Sequence, residues 1–291
     1  MPIEPPPAAL PQRVALVGGG RMGAGIAHAF LVNGSRVTLI EVDAARTDKA
    51  RDAVIRGIRT SAERGALAGT VDEVAERLTV TADLAAIAGA ELTVEAVPET
   101  PELKRRVLGT VSGTVSDTAL IATNTSSLSI NDLSKHVENP GRFLGLHFFN
   151  PVPASQLVEV VVGSRTTGTT VHQARQIVAA LGKEAVTVTD SPGFASSRIG
   201  VLLGIEAIRM LQEGVASAED IDRAMVLGYR HPTAPLRLTD LVGLDVRLGI
   251  AEHLAATLGD RFAPPQLLRD MVARGDLGRK TGRGFYEWPE G

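Results

Sequence analysis

The sequence contains no cysteine, and this absence excludes disulfide bonds, thiolate nucleophiles and cysteine-based zinc sites. The histidines do not show the His-Glu-x-x-His spacing of a zinc enzyme, so we expect no metal. Aromatic residues make up only 3% of the chain. A core must therefore be built from alanine, valine, leucine and isoleucine.

Neither sign of charge dominates, because 30 Lys and Arg residues face 33 Asp and Glu residues, and there is no long basic run. We therefore expect neither nucleic acid nor a membrane surface as a partner. No stretch approaches the roughly 20 apolar residues of a membrane span. The opening MPIEPPPAALPQ lacks the pattern of a secretory signal. We predict a cytoplasmic protein with a disordered, proline-rich tail over residues 1–12.

Apolar stretches with strand character alternate with helical stretches in the first two thirds of the chain. They are RVALVGGG, RVTLIEVD, RLTVTAD, ELTVEAV, ALIATNT, RFLGLHF and QLVEVVV. This alternation predicts the α/β class, with a mostly parallel sheet covered on both faces. Near Asp190 the pattern changes to helical spacing. We predict one domain over residues 13–189 and an all-helical domain over residues 190–291.

A glycine-rich turn follows the first predicted strand. Gly18, Gly20 and Gly23 have the spacing Gly-x-Gly-x-x-Gly and open a predicted helix. Such glycines allow a tight turn, close approach to a pyrophosphate and close packing of helix on strand. The helix start at Arg21 and Met22 offers free N–H groups and a positive dipole end to the anion. The motif predicts a dinucleotide-binding site.

Glu41 ends the second predicted strand about 20 residues after the loop, where a carboxylate accepts hydrogen bonds from the adenosine ribose. A carboxylate there also repels a 2′-phosphate and so favours NAD over NADP. Glu41 is preferred over Asp43 because it directly ends the apolar run. The alternatives are that either acid is simply solvated, and that Arg46 meets a 2′-phosphate.

His147 lies near the end of a predicted strand, in FLGLHFFNPV. Ligands of open parallel sheets bind beyond the carboxyl ends of the strands, so His147 and Asn150 are placed to meet a substrate. Glu159 stands between valines in QLVEVVV, and a buried carboxylate needs a partner. Paired, His147 and Glu159 would form a general acid/base dyad. The alternatives are a core histidine and a solvent-facing glutamate.

The stretch ATNTSSLSI places polar groups at another strand end. Ser126 could bind a substrate oxygen, and Asn124 could contact the nicotinamide end of a cofactor. The alternative is a turn whose hydroxyl groups cap the helix that begins near Ile130.

Eight stretches, in order, resemble the L-3-hydroxyacyl-CoA dehydrogenase family, which includes 3-hydroxybutyryl-CoA dehydrogenases. They are VALVGGGRMGAGIA, VEAVPE, NTSSLSI, GLHFFNPVP, LVEVV, DSPGF, LTDLVGLD and GRKTGRGFYEW. The resemblance implies a Rossmann-like NAD-binding domain and a helical domain that contributes to substrate binding and forms a homodimer. It implies that Glu99, Lys104 and Asn124 approach NAD. It also implies that Lys49 lies near the CoA portion, although Lys49 could equally be a solvated helix lysine.

The resemblance implies that His147 is the catalytic base, that Glu159 orients it and that Ser126 binds the substrate's 3-oxygen. Ser197 stands where many family members carry an asparagine that helps to hold this oxygen. A serine hydroxyl can still donate a hydrogen bond there, with a shorter reach. This departure, like that at residues 233–234, leaves the acyl-chain preference open.

We therefore expect a reversible, NAD-dependent oxidation of (S)-3-hydroxyacyl-CoA to 3-oxoacyl-CoA, with a short acyl chain such as that of 3-hydroxybutyryl-CoA. One alternative is a dehydrogenase of another β-hydroxy compound, either a free hydroxy acid or a carrier-protein thioester. A second alternative is a non-catalytic NAD-binding protein, which would not need His147, Glu159 and Ser126 together.

Overall fold

The computed structural model describes residues 10–289, so most of the tail predicted over residues 1–12 lies outside the described residues. The chain divides into two compact units, the first ending at Asp190 and the second beginning at Ser191. The sequence prediction places a boundary between residues 189 and 190. All strands of the sheet belong to the first unit.

One eight-stranded sheet forms the centre of the first unit. Its strands are β1 (Arg13–Val17), β2 (Arg36–Ile40), β3 (Leu78–Thr81), β4 (Leu92–Glu95), β5 (Leu120–Thr123), β6 (Phe143–Phe148), β7 (Leu157–Val162) and β8 (Glu184–Thr189). Their order in the sheet is β3-β2-β1-β4-β5-β6-β7-β8. Neighbouring strands run parallel, except that β6 and β7 are antiparallel. The predicted α/β class with a mostly parallel sheet is confirmed.

Strand β8 is not among the strands predicted from the sequence. It lies at the edge of the sheet beside β7, and most of its residues are exposed. A strand with little buried surface does not need an apolar run, so its sequence lacks the feature that reveals the central strands.

The helices of the first unit are α1 (Arg21–Val32), α2 (Ala44–Glu63), α3 (Val71–Ala75), α4 (Pro101–Thr114), α5 (Ile130–Leu133) and α6 (Gly168–Ala180). Helix α1 buries Ile26 and Phe30 in a core that also contains Leu16 and Leu39. This core is mostly aliphatic, as the scarcity of aromatic residues requires. It fixes α1 against the sheet and thereby fixes the loop that precedes the helix.

Five parallel strands have their carboxyl ends on the same side of the sheet: β1, β2, β4, β5 and β6. Gly18 follows β1, Glu41 follows β2 and Asn124 follows β5, while His147 is the penultimate residue of β6. The topology therefore brings residues that are far apart in sequence together beyond the carboxyl ends of these strands.

The second unit is helical. Its described residues form α7 (Ser196–Gln212), α8 (Ala218–Tyr229), α9 (Pro235–Val242), α10 (Leu244–Leu258) and α11 (Gln266–Arg274), joined by short turns. Ile208, Leu236, Leu244 and Leu268 are buried together in one of its apolar clusters. Within residues 10–289, no helix is both long and apolar enough to cross a membrane.

Two buried aspartates hold the last described residues of the chain against this unit. Asp240 accepts hydrogen bonds from the backbone N–H groups of Phe285 and Tyr286, each at 2.9 Å. Asp222 accepts from the N–H of Leu236 at 2.9 Å and from the Tyr286 hydroxyl at 2.7 Å. Burial, and then the hydrogen bond to Asp222, raise the pKa of Tyr286 well above its usual value.

Candidate active site

The glycine motif leaves no room for side chains at two of its positions, Gly18 in the loop after β1 and Gly23 in the first turn of α1. Gly18 has a φ of 103°, and a Cβ there would lie 2.8 Å from the carbonyl carbon of Ala96. A Cβ at Gly23 would overlap the carbonyl oxygen of Gly18. These two glycines allow the loop to turn tightly and α1 to start close to the sheet.

Gly20 has the opposite environment. It is exposed, and a Cβ placed on it would have no protein atom within 4 Å. It precedes α1, where no side chain within residues 10–289 caps the helix start and the first turn carries no acid. The N–H groups of the first turn, which includes Arg21 and Met22, therefore lack a side-chain cap at the helix start. An exposed helix N-terminus with this space before it fits a pyrophosphate.

Glu41 lies against the glycine loop. Its Oε1 accepts a hydrogen bond from the N–H of Gly19 at 2.7 Å, and its Oε2 accepts from the N–H of Val42 at 3.1 Å. Asp43 instead caps α2 by accepting from the N–H of Arg46 at 2.9 Å, and the Arg46 Nε lies 3.7 Å from Asp43. Of the two acids considered from the sequence, Glu41 is the one beside the loop.

Asn124 connects the ends of three strands. Its backbone N–H donates to the carbonyl of Glu95 at 2.8 Å, and its side-chain oxygen accepts from the N–H of Phe148 at 2.9 Å. Because the oxygen is engaged, the side-chain NH₂ is the group that Asn124 can offer to a ligand.

A charged cluster of Glu95, Lys104 and Glu99 lies beside Asn124. The Lys104 Nζ is 2.7 Å from Glu95 Oε1 and 3.2 Å from Glu99 Oε2. Glu95 is 0% and Lys104 1% exposed, so their charges are fully desolvated. Sequence patterning missed Glu95; the only signal is an acid inside the apolar run ELTVEAV.

Glu99 organises the segment after β5. Its Oε1 accepts from the Thr125 hydroxyl at 2.5 Å and from the N–H groups of Ser126 at 2.9 Å and Ser127 at 3.2 Å. Burial alone would raise the pKa of Glu99, but the Lys104 ammonium and these hydrogen bonds outweigh it and lower the pKa below its ordinary value. Glu99 is thus held as a carboxylate.

The hydroxyl groups of this segment have different tasks. Ser129 caps α5 by accepting from the N–H of Asp132 at 3.2 Å, so the capping alternative applies to Ser129. Ser126 is fixed through its backbone N–H instead. The Ser126 hydroxyl contacts Glu99 only at 3.4 Å.

His147 and Glu159 occupy directly opposed positions on the antiparallel strands β6 and β7. Their side chains meet at 2.8 Å between Nδ1 and Oε2, and the residues are 6% and 1% exposed. The His147 ring also contacts the Phe149 ring, with 4.3 Å between centroids. The arrangement is a desolvated imidazole whose orientation is set by a carboxylate, which is the geometry of a general acid/base dyad.

Lys183 supports the segment that follows His147. Its Nζ donates to the carbonyls of Val152 at 2.7 Å and Ser155 at 2.5 Å, and burial lowers the pKa of this lysine. Val152 is itself buried beside Gly25 of α1. Asn150 is exposed at the start of this anchored segment.

Two other predicted site residues lie on helices, not after strands of the sheet. Lys49 is exposed on α2, and Ser197 is the second residue of α7 in the second unit. The departures at Thr233 and Ala234 immediately precede α9. Among residues 10–289, no three His, Cys, Asp or Glu side chains are grouped so that they could hold a metal ion.

The two units match two sequence profiles of one enzyme family. Residues 13–191 match the profile of the 3-hydroxyacyl-CoA dehydrogenase NAD binding domain, and residues 193–288 match that of the 3-hydroxyacyl-CoA dehydrogenase C-terminal domain. The chain belongs to the 3-hydroxyacyl-CoA dehydrogenase family. It is an NAD-dependent dehydrogenase, and the open loop at Gly20 fits this cofactor.

Three proteins similar to this dehydrogenase are named as dehydrogenases of 3-hydroxyacyl-CoA esters. A probable 3-hydroxybutyryl-CoA dehydrogenase of Deinococcus radiodurans is 38% identical, over 95% of this chain and 100% of the relative. The 3-hydroxyadipyl-CoA dehydrogenase of Escherichia coli is 37% identical over 95% of this chain, which corresponds to 59% of that longer protein. The crystal structure of (S)-3-hydroxybutyryl-CoA dehydrogenase from Ralstonia eutropha has a TM-score of 0.91 and 38% identity, with 96% of this chain and 100% of that chain covered.

Proposed function

We propose that this dehydrogenase reversibly oxidises short-chain (S)-3-hydroxyacyl-CoA, such as 3-hydroxybutyryl-CoA, to the 3-oxoacyl-CoA. The observation that carries the proposal is the buried pair of His147 and Glu159, with 2.8 Å between Nδ1 and Oε2. The names of the Deinococcus and Ralstonia relatives support the short acyl chain.

His147 is the general base in the direction of oxidation. With Nδ1–H donated to the Glu159 carboxylate, the lone pair is on Nε2, which takes the proton from the 3-hydroxyl group. Glu159 fixes the tautomer and stabilises the imidazolium that results. In reduction, the protonated His147 returns the proton to the 3-oxygen.

Ser126 donates a hydrogen bond to the substrate's 3-oxygen, where negative charge develops, and Ser197 assists it. The long 3.4 Å contact between the Ser126 hydroxyl and Glu99 supports this role, because a weakly held proton can turn to another acceptor. Asn150 contributes to substrate binding at the exposed start of the segment anchored by Lys183.

The cofactor is held at the carboxyl ends of the parallel strands. NAD⁺, when bound, accepts the hydride that leaves C3 of the substrate. Gly18, Gly20 and Gly23 shape the loop for the pyrophosphate, and the first-turn N–H groups of α1 bind it. Glu41 accepts hydrogen bonds from the ribose hydroxyls, and Asn124 and Glu99 lie towards the nicotinamide end.

The other assignments concern the rest of the ligand and the assembly. Lys49 neutralises part of the charge of the CoA moiety.

The helical unit contributes to substrate binding and forms a homodimer. Support comes from its exposed apolar side chains, such as Ile199 at 60%, Leu227 at 73% and Tyr229 at 77%. The enzyme acts in the cytoplasm. Light scattering of the purified chain tests the dimer, and a monomeric mass contradicts it.

A substrate panel tests the proposed reaction. Acetoacetyl-CoA should cause loss of NADH absorbance, and (S)-3-hydroxybutyryl-CoA should cause NADH formation from NAD⁺. The (R)-enantiomer serves as the matched control and should be inert. Tight NADH binding without turnover of any member would overturn the enzymatic proposal in favour of a non-catalytic NAD-binding protein.

A second candidate is a dehydrogenase of another β-hydroxy compound. The observation that favours it is Ser197 at the position where many family members carry asparagine. The same panel should include free 3-hydroxybutyrate, a carrier-protein thioester and 3-hydroxyadipyl-CoA. A kcat/KM for one of these above that for the butyryl-CoA ester would replace the first proposal by the second.

A further inference from the structure

The ammonium of Lys104 has no donor left for a ligand. An ammonium carries three N–H donors. In Lys104 they face Glu95 Oε1 at 2.7 Å, the carbonyl of Val97 at 3.1 Å and Glu99 Oε2 at 3.2 Å. The side chain is 1% exposed. Lys104 is therefore a fully coordinated interior cation.

Glu95 anchors this cation to the sheet. Its Oε1 also accepts from the N–H of Val97 at 2.7 Å, and its Oε2 accepts from the Thr123 hydroxyl at 2.6 Å. Glu95 belongs to β4 and Thr123 to the neighbouring β5. Two central strands thus fix the carboxylate of Glu95, and Val97 and Glu99 of the loop after β4 complete the coordination of the ammonium.

Glu99 transmits this position to the segment after β5. One of its oxygens faces Lys104, and the other accepts from the Thr125 hydroxyl and the backbone of Ser126 and Ser127. The Ser126 N–H is held at 2.9 Å, whereas the Ser126 hydroxyl is at 3.4 Å. The cluster fixes the position of Ser126 and leaves its hydroxyl group able to turn to another acceptor.

We propose that Lys104 and Glu95 are positioning residues, which act through Glu99 to hold Ser126 where its hydroxyl meets the substrate oxygen. This inference rests on the proposed role of Ser126 in oxygen binding. It differs from the role that family resemblance implies for Lys104, which is an approach to NAD. A lysine whose three donors are all engaged inside the protein affects the turnover step through its neighbours.

A double-mutant cycle on Lys104→Met and Ser126→Ala tests the inference, with kcat measured on acetoacetyl-CoA and the Kd of NADH measured by fluorescence. Ser126→Ala should lower kcat by about 10²-fold, as for loss of an oxyanion donor. Lys104→Met should lower kcat by at least about 10-fold, and the double variant should be no slower than Ser126→Ala, since residues that act as one unit are non-additive. The Kd of NADH should rise no more than it does in Glu99→Gln, because Lys104 acts through Glu99; a fall in kcat beyond that rise is a split that general destabilisation does not produce.

Lys135→Met is the matched control, because this lysine is exposed and its ion pair within residues 10–289 is the i, i+3 contact with Asp132. It should leave kcat and Kd unchanged. Lys104→Met leaves Glu95 as an unpaired buried charge. If that variant does not fold by circular dichroism, Glu95→Gln/Lys104→Met takes its place in the cycle.

Two results would overturn the inference. Losses in kcat that multiply in the double variant would show that Lys104 acts independently of Ser126. A rise in the Kd of NADH for Lys104→Met well beyond that of Glu99→Gln would show that Lys104 holds the cofactor directly. A Ser126→Ala enzyme with unchanged kcat would instead refute the proposed function of Ser126, and the inference with it.

Discussion

His147 and Glu159 face each other across the antiparallel pair of β6 and β7, with their side chains 2.8 Å apart. Directly opposed residues in such a pair have Cβ atoms about 5 Å apart on the same face of the sheet. The meeting of the two side chains therefore follows from the strand register itself. Burial then favours the pairing, since Glu159 is 1% and His147 6% exposed.

The first prediction concerns His147. Replacing it with glutamine keeps a polar side chain of similar size but removes the proton acceptor. We expect kcat to fall by about 10²–10⁴-fold, with the Kd of NADH nearly unchanged. Steady-state kinetics and NADH fluorescence measure the two quantities. His172→Gln, on the exposed surface of α6, is the control and should behave as wild type. An equal loss of NADH binding in His147→Gln would argue against a role as base.

The second prediction separates two glycines of one motif. Gly23→Ala places a methyl group on the Gly18 carbonyl, so we expect a loss of roughly 3 kcal/mol or more in the free energy of unfolding. Gly20→Ala meets no protein atom, so unfolding should be unchanged while the Kd of NADH rises at least about 10-fold. Urea unfolding and NADH titration measure both.

Gly249→Ala is the control for this pair of variants, because Gly249 is exposed within α10 and a Cβ there has open space. It should stabilise the chain by about 0.5–1 kcal/mol, as alanine does in a helix interior. Normal NADH affinity in Gly20→Ala would mean that the pyrophosphate does not approach this glycine.

The third prediction concerns the pH dependence of stability. The pKa of Glu99 is lowered from 4.5 in the folded chain, so its carboxylate stabilises the fold above about pH 4.5. That contribution is lost as the pH falls through the lowered pKa. Glu99→Gln should cost roughly 1 kcal/mol at neutral pH, and its difference from wild type should shrink in acid. Urea unfolding from neutral pH to pH 3 measures this; a difference that stays constant would contradict it.

The fourth prediction concerns Arg247 on α10. This side chain is 5% exposed, its Nε has no hydrogen-bond partner within residues 10–289, and burial lowers its pKa to about 10. Burial of its charge opposes folding at neutral pH, and this penalty should be relieved only as the pH rises above the lowered pKa of about 10. Arg247→Met should therefore raise the free energy of unfolding by roughly 2–3 kcal/mol.

Arg223→Met is the control for Arg247, since this arginine is exposed on α8 beside Asp220 and should contribute little. Urea unfolding of the three proteins at neutral pH provides the comparison. An Arg247→Met protein that is less stable than wild type would contradict this prediction.

The contact between His147 and Glu159 and the tight turn of the glycine loop could be predicted from the sequence pattern. The glycine spacing is a known signature of a tight strand-to-helix turn. Val158 and Val160 lie on one face of β7 and Leu157 and Val161 on the face of Glu159, so apolar residues on both faces indicate a buried strand. Alternation of apolar and helical stretches was likewise enough for the fold class. Each of these features depends on the immediate sequence neighbourhood and on general rules of sheet topology.

The Glu95–Lys104–Glu99 cluster could not be predicted in the same way. A lysine within PELKRRV has the pattern of a solvated helix face, yet Lys104 is 1% exposed. Its burial depends on Glu95 from β4 and on the loop carbonyl of Val97, which only the folded backbone brings together. Edge strand β8 was missed for a different reason, because most of its residues are exposed and its sequence needs no apolar run.

The hydrogen bond from Gly19 to Glu41, at 2.7 Å, has a consequence for engineering cofactor specificity. Substituting Glu41 with a small or basic residue to admit NADP would also remove the acceptor that restrains the loop. Such a substitution would weaken pyrophosphate binding while it made room for the 2′-phosphate of NADP. A successful redesign therefore needs a second acceptor for the Gly19 amide, introduced together with the charge reversal.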